Sequence, residues 1–258
     1  MTTRLWDRAA SLPAVSAERR PEIVALPAGL PTLPQLFTFM RDAELRFATL
    51  RMRIEERAFG ARGEQLTTMD ISLRHPGSVR VVTSEPGKGA VGPSEVWLSD
   101  GETIRTFSAT HKLGTARPVR NRPRGLDQGD IPGWAKVYEP RTSMPMETLA
   151  ELFVHPAGYC QNVLATGECW IGGTEKILGR EAILIECDHP RAVELVADRP
   201  DFHVQVAADR ADGVITRLVE SIRGEITRVA EVVVYDPDVP LPDWTFELEF
   251  PEGTTVLY

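Results

Sequence analysis

From residue 203 to the end of the chain, apolar and polar residues alternate in short runs separated by turn-forming residues such as Asp212-Gly213. Alternation with a period of two indicates β-strands, because successive side chains of a strand point to opposite faces. An antiparallel meander of such strands has one apolar face, which another layer of the protein must cover. We predict four strands here, at 203–208, 214–222, 225–235 and 246–250.

A helical period near the start of the chain gives way to strand alternation. Between residues 33 and 50, apolar residues recur every three or four positions, which predicts a helix with one apolar face. The period then changes to two, so residues 50–54 and 69–73 are predicted to be half-buried strands. Residues 78–83 resume as a strand after the turn residues Pro76-Gly77.

Two further hairpins are predicted in the middle of the chain. Asp100-Gly101 lies at the centre of the first, within 95–107, and is a strong two-residue turn signal. The second, within 174–186, turns at Gly179. Both add antiparallel strands to those of the terminal meander, so the sequence indicates one large sheet with few helices.

Residues 108–142 interrupt this order with many Pro and Gly residues and predict a long irregular insertion. After it, Ser143 is expected to cap a helix over 144–153, and residues 190–197 indicate another short helix. Residues 1–32 are rich in proline and carry no hydrophobic period, so we expect an irregular arm followed by one domain over 33–258.

Composition excludes several classes of protein. The chain has 258 residues, 42% of them hydrophobic, and a net charge of −8. That charge disfavours the broad basic face of a nucleic-acid-binding protein. No run approaches the ~20 apolar residues of a membrane helix. The first residues lack a signal-peptide pattern, so a cytoplasmic location is expected for the chain as numbered, or an extracytoplasmic one if a leader has been removed.

Three segments together resemble the bacterial lipoprotein-carrier superfamily, which includes LolA, the sigma-factor regulators RseB and MucB, and mycobacterial lipid-carrying lipoproteins. They are 71–80 with Pro76-Gly77, 97–101 with Asp100-Gly101 and 103–107, and 212–218 followed by 241–246 and 250–253. The resemblance implies an α+β fold, a highly curved antiparallel sheet forming an unclosed half-barrel with helices on its concave face. It also implies non-enzymatic binding of a lipid, an acyl chain or another hydrophobic or amphipathic small molecule, without a cofactor. The alternative is a regulatory module of the RseB/MucB type that binds a protein partner.

If the half-barrel is correct, apolar residues of the two helical segments lie over the concave face. They would either line a ligand groove or fill an ordinary core, since an apolar helix face is typical of both. The candidates are Leu36, Phe37, Met40, Met144, Met146, Leu149, Leu152 and Phe153.

A basic loop offers a second candidate site. Guanidinium groups bind carboxylate and phosphate through paired hydrogen bonds, so the loop would contact an anionic group or an acidic partner, or would simply be solvated. Its candidate residues are Arg117, Arg120, Arg122 and Arg124.

The cysteines and histidines favour neither a metal site nor catalysis. The three cysteines lack the Cys-x-x-Cys spacing of zinc sites, so no metal is expected. Cys160 and Cys169 could bridge a short loop in an oxidising compartment, although reduced, partly buried thiols are the simpler interpretation. No nucleophile motif such as Gly-x-Ser-x-Gly is present, so no catalytic residue is predicted.

Overall fold

A single open sheet of 12 strands dominates the computed structural model. The structure describes residues 23–61, 63–85, 95–119, 141–146, 148–190 and 201–257. Every neighbouring pair of strands is antiparallel except β12 and β6, which are parallel. The strands are β1 Thr49–Gly60, β2 Gly63–Arg74, β3 Ser78–Ser84, β4 Glu95–Asp100, β5 Thr103–Ser108, β6 Leu113–Pro118, β7 Glu168–Ile177, β8 Arg180–Asp188, β9 Phe202–Asp209, β10 Ile215–Ile222, β11 Glu225–Pro237 and β12 Thr255–Leu257.

The spatial order of the strands is β12-β6-β5-β4-β3-β2-β1-β11-β10-β9-β8-β7, so β12 and β7 are the two edges. The sheet does not close, because its edge strands are not paired with each other. The predicted α+β class with an unclosed half-barrel is therefore confirmed. The division into an arm over 1–32 and a domain over 33–258 stays a prediction.

In the described ranges, three short helices pack on one face of the sheet, which we call the inner face: α1 Leu33–Arg41, α2 Leu149–Val154 and α3 Ala157–Asn162. Thr32 and Gln35 form a capping box that begins α1. The helix ends at Arg41 instead of continuing to residue 50, and a short 3₁₀ helix over Ala43–Leu45 follows. Arg46 Nη1 donates to the Phe39 carbonyl at 2.8 Å and satisfies a carbonyl of the last turn.

The core lies between these helices and the inner face. Leu50, Met52 and Ile54 of β1 are each at most 1% exposed, as the alternation predicted. Apolar residues of β2, β3 and β8–β11 extend the same cluster on this face. The complementary positions of β1, such as Arg51 and Arg53, instead form ion pairs with Asp236 and Asp70 on the outer face.

Two predicted elements differ in the structure. Residues 246–250 are not a strand; a 3₁₀ helix over Asp243–Phe246 precedes an extended segment on the outer face. There Arg80 Nη1 donates to the Glu247 carbonyl at 2.9 Å, so backbone polar groups are satisfied without a ladder. Within the predicted irregular insertion, β6 pairs with β5 through the whole of Leu113–Pro118.

The helix expected over 144–153 begins only at Leu149, and Thr148 rather than Ser143 is its N-cap. The second predicted hairpin is longer than expected, because β7 begins at Glu168 and includes a register shift between Ile171 and Gly173. The helix predicted at 190–197 lies almost entirely outside the described residues.

The two turns that carried part of the family resemblance touch each other. Gly77 and Gly101 have φ of +90° and +94°, which favours glycine at both positions. A Cβ on Gly77 would lie 2.9 Å from the Gly101 Cα, closer than a side chain allows. The glycines of both turns are therefore needed for the backbones of two adjacent hairpins to pack together.

Candidate functional site

The groove between the helices and the sheet is filled where the described helices cover it. Leu36, Met40 and Phe153 are fully buried and pack against β-strand residues of the inner face. Leu149 and Met144 are 4% and 6% exposed, whereas Phe37 and Leu152 are half-buried at the border of the same cluster. Met146 is 72% exposed and lies apart from it. Seven of the eight candidate ligand residues are thus part of, or packed against, one hydrophobic core.

An open pocket of about 540 Å³ lies at one end of this groove. Its walls are segment 23–26, the end of α1 with the following 3₁₀ helix, and the turn between β9 and β10. Leu26, Phe39 and Leu45 supply apolar surface, and Ile23 and Val24 are about half exposed beside them. The volume lies in the range of about 300–1,000 Å³ that is typical of small-molecule sites. We call this feature the mouth pocket.

Two arginines of the mouth pocket hold the incoming chain by its backbone. Arg46 Nη2 donates to the Val24 carbonyl at 3.1 Å, and its guanidinium stacks 3.7 Å from the centroid of the Phe39 ring. Arg210 Nη2 donates to the carbonyls of Ala28 and Gly29, each at 2.9 Å, and also to that of Pro27. These bonds anchor the backbone at Val24 and at residues 27–29, and Leu26 between them packs against the core.

A partly buried charge network adjoins the mouth pocket at Asp212. Asp212 accepts hydrogen bonds from Tyr235 Oη at 2.8 Å and from Arg180 Nη2 at 2.6 Å. Arg180 also binds both oxygens of Asp209, at 2.7 and 2.9 Å. Burial raises the pKa of Asp212, opposed by the hydrogen bond from Tyr235. The same burial raises the pKa of Tyr235, so this phenol stays protonated and is not an activated base or nucleophile.

A second polar cluster, which the sequence did not indicate, binds residues 141–142, where a described segment begins. Glu44 accepts the Arg141 backbone N–H at 2.9 Å, and its carboxylate lies 3.9 Å from His155 Nδ1. Thr142 Oγ1 accepts the Gly77 N–H at 2.9 Å and lies 2.7 Å from His75 Nδ1. Burial lowers the pKa of His75 to about 4, so the ring is neutral near neutral pH. Only the fold brings these residues together, since they come from four separate segments.

The basic loop is only partly described. Arg117 is exposed on β6 and is the register partner of Ile104. Arg120, Arg122 and Arg124 lie outside the described residues. Contact of these arginines with an anion or a partner stays a prediction.

All three cysteines are free thiols. Cys160 is buried with Sγ 3.9 Å from Met40 Sδ, and burial raises its pKa to about 12. Cys169 is the register partner of Cys187, not a neighbour of Cys160 in the same ladder. A bridge between Cys160 and Cys169 stays a prediction. Among the described residues, no group of three or more His, Cys, Asp or Glu side chains could hold a metal ion.

Comparison with known proteins finds likeness in solved structures only. No protein-family model matches the chain, and no curated protein matches it. An uncharacterised conserved protein from Thermus thermophilus has 10% identity and a TM-score of 0.47, over 87% of this chain and 98% of that one. MucB in the Pseudomonas aeruginosa MucA/MucB complex has 14% identity and a TM-score of 0.49, over 84% of this chain.

The chain covers 61% of the length of the MucB chain. A LolA superfamily protein from Nitrosomonas europaea is similar over 85% of this chain and 99% of its own, with 12% identity and a TM-score of 0.35. These likenesses concern the fold alone. In the described part of the chain, no helix has the length and apolar character needed to cross a membrane.

Proposed function

We propose that this chain is a non-enzymatic binding protein that takes the apolar part of a hydrophobic or amphipathic ligand, such as an acyl chain, into the mouth pocket. The observation that carries the proposal is the contrast between a filled groove and an open pocket of about 540 Å³ at its end. The pocket continues the apolar surface of the core, because Phe39 belongs to both.

The lining of the pocket supports an amphipathic ligand rather than a purely apolar one. Apolar side chains form its wall, and Arg46, Arg210 and Asp212 stand beside them. Each methylene that leaves water for such a wall contributes about 0.8 kcal/mol, so about ten buried methylenes of an acyl chain supply the roughly 8 kcal/mol of micromolar binding. A polar headgroup would remain near the rim, where the charged side chains and water can solvate it.

A fluorescent fatty acid titrated into the purified chain tests this proposal. Leu45→Glu places a carboxylate in the apolar wall and should weaken binding at least about tenfold, the effect of 1.4 kcal/mol. Val24→Asp, at a side chain that is 54% exposed, should act in the same direction with less risk to folding. Both variants are compared with wild type for unfolding midpoint, so that lost binding is separated from lost structure.

Ile226→Asp is the matched control for these variants, because Ile226 is 52% exposed on β11 and does not line the pocket. It should bind the probe as wild type does. Equal affinity of all three variants for the probe would contradict the proposed site.

A regulatory module that binds a protein partner is the second candidate function. One observation favours it: β7 is an edge strand that carries Trp170 at 44% exposure, and exposed aromatic residues are frequent anchors of protein interfaces. In one of the similar structures, MucB forms a complex with MucA. Native mass spectrometry of gently purified material separates the two functions: a bound lipid supports the first, and a bound protein lost with Trp170→Ala supports the second.

A further inference from the structure

We propose that Cys169 and Cys187 form a reversible oxidation site, in which the two thiols join as a disulfide that ties the edge strand β7 to β8. The proposal is independent of the ligand function. It concerns a pair of residues that sequence spacing did not indicate.

The register of the sheet places the two cysteines side by side. Cys169 of β7 and Cys187 of β8 are direct partners in the antiparallel ladder. Directly opposed Cβ atoms lie about 4.5–5.5 Å apart, and a disulfide needs about 3.5–4.5 Å. Opposed Cα atoms in either kind of antiparallel pair, about 4.5 or 5.5 Å apart, already lie in the range of disulfides. Closure therefore requires only a small movement.

The two sulfur atoms also lie near the same carbonyl oxygen. Cys169 Sγ lies 3.0 Å from the Leu164 carbonyl oxygen, and Cys187 Sγ lies 3.5 Å from the same atom. A Cβ on Gly167 would lie 2.6 Å from Cys187 Sγ, so the absence of a side chain there leaves room for this sulfur. Two thiols that share one acceptor are held next to each other before any bond forms.

The two thiols differ in the way that a disulfide-forming pair requires. Cys169 is half-buried on an edge strand, where an oxidant can reach it, whereas Cys187 is fully buried behind it. The hydrogen bond from Cys187 lowers the pKa of Cys169, and the same contact together with burial raises the pKa of Cys187. Cys169 is thus the attacking thiol and Cys187 the resolving one.

The reaction balances with a small-molecule disulfide as oxidant. The Cys169 thiolate attacks one sulfur of oxidised glutathione, forms a mixed disulfide and releases one glutathione thiolate. The Cys187 thiol then loses its proton and attacks Cys169 Sγ, which expels the second glutathione. The protein dithiol loses two electrons and two protons, and one glutathione disulfide becomes two thiols.

The test is to treat the reduced, folded full chain with oxidised glutathione and to map the linked peptides by mass spectrometry without reduction. We expect a Cys169–Cys187 peptide as the main product, reversed by a thiol reductant. Cys160→Ala should keep this product, and Cys169→Ser and Cys187→Ala should both lose it. The mapping in wild type does not depend on the folding of any variant.

The chain unfolded in urea provides a matched control. Without the sheet, the shorter loop closes more readily, so a Cys160–Cys169 link should dominate there. A Cys160–Cys169 link in the folded chain, or Cys169 that stays a mixed disulfide with glutathione, would overturn the proposal.

Discussion

The groove beneath the helices and the mouth pocket at its end are lined by similar apolar residues, yet one is full and the other is open. Under the helices, Leu36, Met40 and Phe153 project into the sheet and leave no exposed surface. At the mouth, Arg46 holds segment 23–26 through the Val24 carbonyl, and the side chains of Ile23 and Val24 stay about half exposed. Apolar composition alone therefore does not determine whether space remains between packed segments.

The largest expected effect is the loss of stability when the filled groove is disturbed. Phe153→Ala should lower the free energy of unfolding by about 3–5 kcal/mol, because a fully buried aromatic ring leaves a cavity. Urea unfolding measures it. Met146→Ala is the control and should change stability by less than about 0.5 kcal/mol, since Met146 is 72% exposed. A Phe153 variant as stable as the Met146 variant would mean that the groove is not a packed core.

The boundary between the two regions can be probed at a turn glycine. Gly213 has φ of +80°, and a Cβ there would lie 3.0 Å from Phe39 Cδ1. Gly224 has φ of +76° with nothing within 4 Å. Both alanine variants carry the backbone cost of about 1–2 kcal/mol, and Gly213→Ala should cost about 1 kcal/mol more from overpacking. Equal unfolding midpoints would show that Phe39 can move away freely.

The open side depends on the arginines that anchor the arm. Arg210→Lys keeps the charge but replaces Nη2, which donates to the carbonyls of Pro27, Ala28 and Gly29, with an ammonium group on a shorter, flexible stem. We expect a loss of about 1 kcal/mol and faster hydrogen exchange in segment 23–30. Arg223→Lys, at a side chain that is 84% exposed, should change neither quantity. Unchanged hydrogen exchange in the Arg210 variant would show that this arginine does not anchor segment 23–30.

The smallest expected effects concern the pH dependence of stability. Two histidines outside both regions should give dependences of opposite sign. Burial lowers the folded-state pKa of His75 from 6.5 to about 4, so its stabilising contribution is lost as pH falls through that window. His203 lies between Asp188 and Glu186; burial lowers its pKa, but these hydrogen bonds outweigh it and the net shift is upward. Its contribution is present at low pH and is lost as pH rises through the folded-state pKa.

Urea midpoints measured across this pH range distinguish the two histidines. His75→Asn should reduce the loss of stability as pH falls from 6.5 to about 4. His203→Gln should reduce the loss of stability as pH rises through the folded-state pKa of His203. Profiles that are parallel to wild type would contradict both assignments.

Local chemistry made most of the sheet predictable, and long-range contacts explain the failures. Alternation and turn residues located β1 and β2 because each strand buries one face. The alternation of 246–250 was misleading, since Phe246 and Phe250 pack on the outer face while the Glu247 carbonyl is satisfied by Arg80 rather than by a ladder. Strand β6 was hidden by the proline and glycine of its surroundings.

The candidate site was less predictable than the fold, because it depends on residues far apart in sequence. The mouth pocket needs Arg46 and Arg210 to meet the arm, and no local pattern reports such a meeting. The eight candidate groove residues were chosen for their apolar helix faces, a property that a core and a ligand groove share. Likewise, only the strand register pairs Cys169 with Cys187.

Photo-crosslinking with a diazirine-bearing fatty acid locates the proposed ligand site, because the carbene marks the residues that surround a bound acyl chain. After irradiation of the folded chain, peptide mass spectrometry should find the label within segment 23–26 and around Leu45, which line the mouth pocket. Label concentrated on Leu149, Phe153 and their neighbours would contradict the account, since it would place the ligand in the groove that the structure fills with side chains.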